Sequence, residues 1–491
     1  MNDKLISKSF NSMMILMIFA GVVAMCGSVI DGVIIGNYLS ADSMTAFGYA
    51  SPVFIFLAAI GGVLSNGGKA QCAILTGKGL YEEARENFSR VFLLTVIFGI
   101  GITFLCLAAA KPVAVLFGAS GAYIPLTVEY IRGLAIGAIP IIMMQVMTGY
   151  LGLDGGEIYG FYGAVIMSAV NIFFDLMVGI VWHGGLFEMA LATSVSYLAA
   201  LLVQFFYFRR KNRLFCFVRF KLQPEKALSL IMAGLPSAVS RICYCSATII
   251  LNRLLTSCAG EMAVSACSVR NTIGNFADAI FMGVVGTISI FSGMFYGERN
   301  KNALRSTFRT ACKYAMFLAV GCGGVIFLFA PMLANGILKA DQTTLSATAA
   351  CLRFYAISLP GEIFSQILLY HYLATEKSGL SNLICVLHNL VLVVVPAWIL
   401  GMTAGLNGIW FSWFLSGILP LPVMYLFLKK YKSKNKWDMW AATDPDLEKD
   451  ITGSYEVSVS DNMDMVMETA RQLREFCNAH QLEAGKSFRI C

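Results

Sequence analysis

Gly77-Lys78-Gly79-Leu80-Tyr81-Glu82-Glu83-Ala84-Arg85-Glu86-Asn87-Phe88 has a counterpart in Gly297-Glu298-Arg299-Asn300-Lys301-Asn302-Ala303-Leu304-Arg305-Ser306-Thr307-Phe308, with Gly, Arg and Phe at matching places. Further along, Ile131-Arg132-Gly133-Leu134-Ala135-Ile136 leads to Pro140, and Leu352-Arg353-Phe354-Tyr355-Ala356-Ile357 leads to Pro360. The offsets between copies are 220, 221 and 220 residues, so the chain reads as two related halves. In a membrane chain, internal duplication is the pattern of folds whose two bundles rock about a site held between them.

Composition places the chain in a membrane. Of its 491 residues 57% are hydrophobic and 13% charged, with a mean hydropathy of +0.71, whereas a soluble domain carries about 25% charged residues. A helix needs about 20 apolar residues to cross a bilayer. Twelve such segments can be drawn, at 11–37, 47–74, 90–110, 122–147, 158–181, 187–208, 227–255, 262–290, 307–330, 346–374, 381–402 and 406–428. The 209–226 connection carries seven Lys and Arg residues, and Lys429, Lys430, Lys432, Lys434 and Lys436 follow the last segment. Lys4, Lys8 and the basic 297–309 stretch fall on the same side if there are twelve spans, and positively charged loops stay in the cytoplasm. Both termini are therefore expected to be cytoplasmic. The +7 net charge is accounted for by these loops without a nucleic-acid partner. The first apolar run continues through Asp31 into more span-like sequence rather than a small-residue cleavage site, so it reads as a span. Fourteen cysteines are scattered without CxxC or His spacing and read as small packing residues. No nucleophile–base pair, phosphate loop or metal-ligand spacing points to an enzyme or a bound cofactor.

The basic connection splits the spans six and six, giving an N-lobe over 1–214, a C-lobe over 215–432 and a tail over 433–491. Each lobe opens with a long span interrupted by small residues, Ala20-Gly21 in the first and Ala233-Gly234-Leu235-Pro236 in the second. Gly and Pro in membrane helices permit close packing or a bend. In the tail, Ile451 to Ser460 alternates like a strand, and a helix is expected from Ser460-Asp461 with Val466, Ala470, Leu473 and Cys477 on one stripe. The tail resembles the opening strand and helix of histidine-kinase-like ATPase domains of anti-sigma regulators. The nucleotide-binding boxes of that family are absent, so the expectation is a short cytoplasmic tail, either partly disordered or a truncated regulatory domain.

Few ionisable groups lie deep in the first half. Asp31 sits in Ile30-Asp31-Gly32-Val33-Ile34-Ile35-Gly36 and Asp175 in Asn171-Ile172-Phe173-Phe174-Asp175. A carboxylate at such depth is costly unless paired, hydrated or protonated, which makes it a candidate functional group. Asn171 and Asp175 are four apart and share a helix face, and Thr193 in Ala190-Leu191-Ala192-Thr193 supplies a hydroxyl from the sixth span. Together they suit a small cation such as Na+, or a proton. The plainer alternative is hydrogen bonding to neighbouring helices. In the second half Arg241, Asn252, Arg253, Arg270, Asn271, Asp278, Glu362 and His388 are the polar groups. Arg270 and Asp278 are about two turns apart. Interhelical pairing or snorkelling is the plainer reading of these arginines, and a site for an anionic or zwitterionic substrate is the sharper one. Met143, Met144 and Gln145 on the fourth span are candidates for a tolerant substrate surface, against packing as the alternative.

The six-plus-six layout, the Ile30–Gly36 stretch, the Gly77 loop, Asn171-x-x-x-Asp175 and Ala190–Thr193 resemble multidrug and toxic compound extrusion (MATE) transporters, closest to their DinF-like branch, over about 1–430. The resemblance implies an all-α membrane protein with 12 transmembrane helices in two pseudo-symmetric lobes. It implies a cation-coupling site at Asp31, Asn171, Asp175 and Thr193, with H+ or Na+ exchanged for export of amphiphilic organic compounds. Some branches place an acid on the seventh helix, but residues 227–251 hold none, so coupling is expected in the N-lobe. Met144, Gln145, Arg241 and Arg270 are the candidate substrate contacts. The expected partners are a small amphiphilic molecule and the lipid bilayer, the protein acting as a monomer. Two rivals stay open. One is a flippase or exporter of lipid-linked or anionic substrates; the other is a membrane sensor signalling through the tail.

Overall fold

A segment in hydrocarbon must satisfy its own backbone N–H and C=O groups, and a helix does so within one segment. The computed structural model describes residues 3–34, 41–117, 119, 121, 123–210, 213–221, 223–337, 341–420, 422–423, 425, 469, 471–473 and 475–476, and among these no strand forms. The helices run α1 (Asp3–Ile34), α2 (Ala41–Gly77), α3 (Tyr81–Ala108), α4 (Ala110–Leu116), α5 (Tyr123–Ile136), α6 (Ala138–Leu153), α7 (Glu157–Leu176), α8 (Leu186–Phe205), α9 (Pro224–Gly297), α10 (Lys301–Ile337), α11 (Gln342–Ala374), α12 (Ser378–Val386) and α13 (Leu392–Ile418). The outer surface is hydrophobic, with Phe104, Leu116, Phe317, Leu328, Met332 and Met402 among its most exposed side chains, as a lipid-facing surface requires.

The helix boundaries differ from the twelve expected segments in informative ways. The fourth segment is a pair, α5 and α6, bent by 50° at Gly137. The seventh and eighth lie within α9, as the apolar stretches Pro224–Cys258 and Ser265–Gly297. The last two lie along α12 and α13, and α13 breaks at Gly405, where φ is 60°. Glycine takes that left-handed conformation without a Cβ penalty. α11 is long enough to span but falls outside the apolar spans; it packs against α9, α10 and α13, so protein rather than lipid covers much of it.

The duplication is visible as geometry. Phe88 on α3 is buried with its ring 5.0 Å from that of Tyr150, and the Cys72 thiol lies 3.7 Å from the Tyr150 hydroxyl. In the second half Phe308 stands 5.0 Å from the His371 ring, and Ser292 hydrogen-bonds to His371 Nδ1 at 2.8 Å. The triad Cys72–Phe88–Tyr150 thus recurs as Ser292–Phe308–His371, each anchoring the ends of its own lobe's helices.

The lobes meet along a seam where backbones touch. A Cβ on Gly21 of α1 would stand 2.7 Å from the Ala279 carbonyl oxygen of α9, and one on Gly234 of α9 would overlap the Val63 carbonyl of α2. At the helix ends, a Cβ on Gly77 would overlap the Met294 carbonyl, and one on Gly297 the Ile74 carbonyl. Small residues allow such approach, as between membrane helices generally. Side-chain bonds cross the same seam, Ser7 Oγ to Tyr314 OH at 3.4 Å and Thr287 Oγ1 to Met17 Sδ at 3.7 Å among them. Asn66 Nδ2 donates to Ser237 Oγ at 2.9 Å, and Gln71 Nε2 donates to Ser229 Oγ at 3.1 Å. Phe10 and Met14 of α1 join the core built by α9, α10 and α11. The Gly77, Gly297 and Gln71 contacts lie toward the end that carries residues 78–80 and 298–300, and the Gly21–Ala279 approach lies near the middle of both spans.

The connection between lobes is tied to the N-lobe. Asp154, in the turn between α6 and α7, accepts the Leu214 N–H at 2.9 Å on each carboxylate oxygen and the Phe215 N–H at 3.3 Å. Arg85 Nε donates to the Leu214 carbonyl at 2.8 Å, and Val218 N–H donates to Ser89 Oγ at 3.0 Å. Phe215 is buried against Phe88 and Tyr150. Burial pushes the Asp154 carboxyl above its ordinary value, opposed by the two amides it accepts. By contacts the chain divides into two units, Met1–Thr443 and Asp444–Cys491. In the second, Leu473 lies in a helical stretch where Arg471 pairs with Glu475 at 3.6 Å; the strand expected over 451–460 lies outside the described residues. Asp154→Ala strips the connection of its acceptors, and leaving buried N–H groups unpaired costs about 1–3 kcal/mol. We expect a lowered thermal unfolding midpoint in detergent; an unchanged midpoint would show that Asp154 does not hold the connection.

Candidate functional site

α7 buries one face, made of Gly160, Gly163, Ala164, Met167, Ser168, Asn171 and Asp175. Gly, Ala and Ser on that face admit close neighbours. Ser168 Oγ donates to the Val23 carbonyl of α1 at 3.1 Å, and a Cβ on Gly27 would meet Ser168 Oγ at 2.8 Å. Asn171 and Asp175 continue the same face beyond Ser168. Asn171 Nδ2 donates to Asp175 Oδ2 at 2.8 Å, and the Asp175 side chain is 0% exposed. Directly after Asp175 the helix widens into a π-turn over Met177–Trp182 and stops at His183, whose φ is 46°. Such π segments commonly sit at functional sites. α8 packs along α7 and carries Thr193, which is buried and donates its hydroxyl to the Met189 carbonyl at 3.3 Å.

The candidates named from the sequence are distributed as follows. Asn171 and Asp175 are in direct contact, and Thr193 lies on the helix packed beside them. Asp31 is one helical turn beyond Gly27 on α1; its side chain lies outside the described residues. Met144 is buried in the N-lobe with Met167 and Ala200. Gln145 lies against α2, its side-chain oxygen facing Gly61. Arg241 is exposed on α9. Arg270, also on α9, lines a separate cavity with Tyr244, Glu362, His388, Asn389 and Trp413, all from the C-lobe. The four substrate candidates therefore occupy different places, Met144 and Gln145 in the N-lobe and the two arginines in the C-lobe.

The two lobes repeat one device. The fifth span of the second half also widens into a π-turn, over Leu387–Val391, and its polar residues His388 and Asn389 line the C-lobe cavity. His388 Nδ1 lies 2.9 Å from the Ser416 carbonyl. A carbonyl only accepts, so Nδ1 is the protonated nitrogen.

Lys69 and His371 are among the buried polar residues that escape the sequence reading. Lys69, 7% exposed on α2, lies inside a segment taken as one apolar span, although a charge beside Gly67-Gly68 marks it. His371 is fully buried; its signal is the repeat itself, since it holds the place that Tyr150 holds in the first half. Among the described residues, no three of His, Cys, Asp and Glu gather as a metal site.

One family model, MatE, matches the chain twice, over residues 17–177 and 236–399. The chain belongs to the MatE family. The paired match is the internal duplication read from Gly77 and Gly297. Multidrug export protein MepA of Staphylococcus saprophyticus is 22% identical over 398 residues, covering 78% of this chain and 86% of that protein. MepA of Staphylococcus aureus is likewise 22% identical over 397 residues, with the same coverage. Among solved structures, a multidrug resistance MATE transporter of the MOP superfamily in an outward-facing conformation superposes with a TM-score of 0.81 at 24% identity, covering 87% of this chain and 96% of that one. A MOP-superfamily transporter from Pyrococcus furiosus gives 0.81 at 23% identity over 87% and 96%. This MatE chain is a multi-pass membrane transporter and not an enzyme, with the twelve-helix, two-lobe architecture of its family.

Proposed function

We propose that this MatE protein is a cation-coupled antiporter that exports amphiphilic organic compounds by alternating access, with H+ or Na+ exchanged for cargo at Asp31, Asn171, Asp175 and Thr193. The observation that carries this reading is the Asp175 carboxylate, fully buried, bonded to Asn171 and followed at once by a π-turn. A buried carboxylate within a membrane bundle is costly as a bare charge, so a cation or proton that neutralises it changes which packing of α1, α7 and α8 is favoured. With its amide nitrogen turned to Asp175, Asn171 keeps its carbonyl oxygen; that oxygen, the carboxylate and the Thr193 hydroxyl are hard oxygen donors of the kind small hard cations take. The multidrug export names of the MepA relatives support the cargo class.

In this cycle the state described here has the lobes joined at the end of the basic loops, which the distribution of Lys and Arg assigns to the cytoplasm. The cleft then opens outward, with both termini cytoplasmic in the plasma membrane and the chain acting as a monomer. Cation entry neutralises the carboxylates and favours parting of the seam, and cargo binding from inside restores it. A ligand shifts such an equilibrium only by its differential affinity for the two states, so cation and cargo prefer opposite ones.

Gradient-driven uptake of a fluorescent organic cation into inside-out vesicles is expected for the wild type and lost in Asp31→Asn and in Asp175→Asn; transport that persists in both variants would remove the N-lobe from coupling. A thiol cross-linker joining Asn66→Cys to Ser237→Cys across the seam is expected to stop transport, while each single variant keeps it after the same treatment. Undiminished transport in the cross-linked protein would mean that the seam does not part. Deleting 441–491 is expected to leave uptake intact, and loss of uptake in a correctly folded deletion would favour the tail-signalling alternative.

A further inference from the structure

The C-lobe cavity holds an arginine in an unusual setting. Arg270 projects from the eighth span with its guanidinium carbon 4.3 Å from the Tyr355 ring centroid and 4.7 Å from that of Trp413. Its Nη1 donates to Asn271 Oδ1 at 2.9 Å. Its Nε is buried with no hydrogen-bond partner, and no carboxylate forms an ion pair with it, among the described residues. Charged groups within membrane bundles usually pair with one another or with backbone carbonyls. Here two aromatic faces take the place of a partner, and cation–π contacts are strongest for a desolvated guanidinium. Glu362 and Asp278 lie within electrostatic range of each other and of Arg270 without closing on it, and Asp278 also of Arg241 and His388.

A guanidinium offers five N–H donors in a fixed fork, and Asn271 occupies one. Two rings within 5 Å of its centre leave its remaining N–H groups as the donors an acceptor can reach. The cavity beside it measures about 60 Å3, room for a small polar head group such as a carboxylate, with the rest of a ligand lying outside it along the cavity wall. Leu251 and Val393 supply apolar wall, while Glu362, His388 and Asn389 supply polar wall. A planar carboxylate matches the fork through two parallel bonds. Glu362 in the same cavity works against a second negative charge on the ligand.

We propose that this cavity is a binding site for amphiphiles carrying a single carboxylate, which docks on the N–H edge of Arg270 between Tyr355 and Trp413, with the apolar body against Leu251 and Val393. The proposal deepens the export reading by naming a cargo class held in the C-lobe, apart from the N-lobe cation cluster, and it rests on that reading for the ligand being cargo. Binding itself needs no gradient, so its test stands apart from the transport assays.

The experiment titrates full-length purified protein in detergent with dansylglycine and with dansylglycinamide, which differ in the carboxylate alone, following dansyl fluorescence. A charge-assisted bond pair of this kind is expected to favour the acid by about tenfold or more. Arg270→Gln is expected to bring the ratio of the two affinities to about one. Arg270→Lys keeps the charge and loses the fork, and is expected to reduce the ratio several-fold; it serves should the Gln variant fail to fold. Equal affinities for acid and amide in the wild type, or a preference that survives both substitutions, would overturn the proposal whatever the outcome of the transport assays.

Discussion

The structure depends on how closely the two lobes approach at their seam. Where Gly234 faces the Val63 carbonyl and Gly77 faces Met294, there is no room for a Cβ. The backbones meet with nothing between them but glycine hydrogens. Such contacts are short, dry and geometrically exacting, and they form fully or not at all, as packed interfaces do. Dispersion at a seam of this kind is lost steeply with a small gap. The side-chain bonds across it are uncharged, Asn66–Ser237, Gln71–Ser229, Ser7–Tyr314 and Thr287–Met17 among the described residues, and Phe10 and Met14 of α1 are buried in the C-lobe core. A seam that is tight yet weakly bonded is what a two-state machine requires of its gate.

Much of this frame was legible in the sequence because duplication and hydropathy both survive divergence. Gly77 and Gly297 were visible as repeat partners, and the structure shows them facing each other at the seam. The small-residue breaks at Ala20-Gly21 and Ala233-Gly234 were readable as places for close packing, and both are lobe crossings. Other features depended on contacts that spacing does not encode. The continuity of two segments in α9 and the packing of α11 among α9, α10 and α13 are set by tertiary neighbours. Lys69 was passed over because a single charge hardly disturbs the hydropathy of a long span. His371 was missed because its equivalence to Tyr150 joins unlike side chains through geometry.

The candidate site was legible in part, for a similar reason. Asn171 and Asp175 four residues apart give a shared face from helix geometry alone, and their hydrogen bond is the direct outcome. The π-turn after Asp175 is not written in any local residue pattern, and neither is the aromatic cage of Arg270. Tyr355 and Trp413 are 58 residues apart in the chain and come together through the packing of α11 on α13. The lobes thus share a scaffold, a π-turn in each fifth span, and a buried cluster around a phenylalanine, yet they carry different chemistry at depth. The first holds the Asn171–Asp175 pair, and the second holds Arg270 with Glu362 and Asp278 near it. That asymmetry fits a division of labour in which one lobe answers to a cation and the other meets an organic ligand.

The central claim is that cation occupancy of the N-lobe cluster biases the seam. The most direct measurement places spin labels at Lys78 and Asn302, exposed residues on either side of the seam, and records their distance distribution in lipid nanodiscs by pulsed electron resonance. Titrating pH and sodium separately is predicted to shift wild-type populations from a short to a long distance for the coupling ion, and to leave Asp175→Asn unresponsive. A wild-type distribution that ignores both ions, or a variant that shifts as the wild type does, would contradict the account.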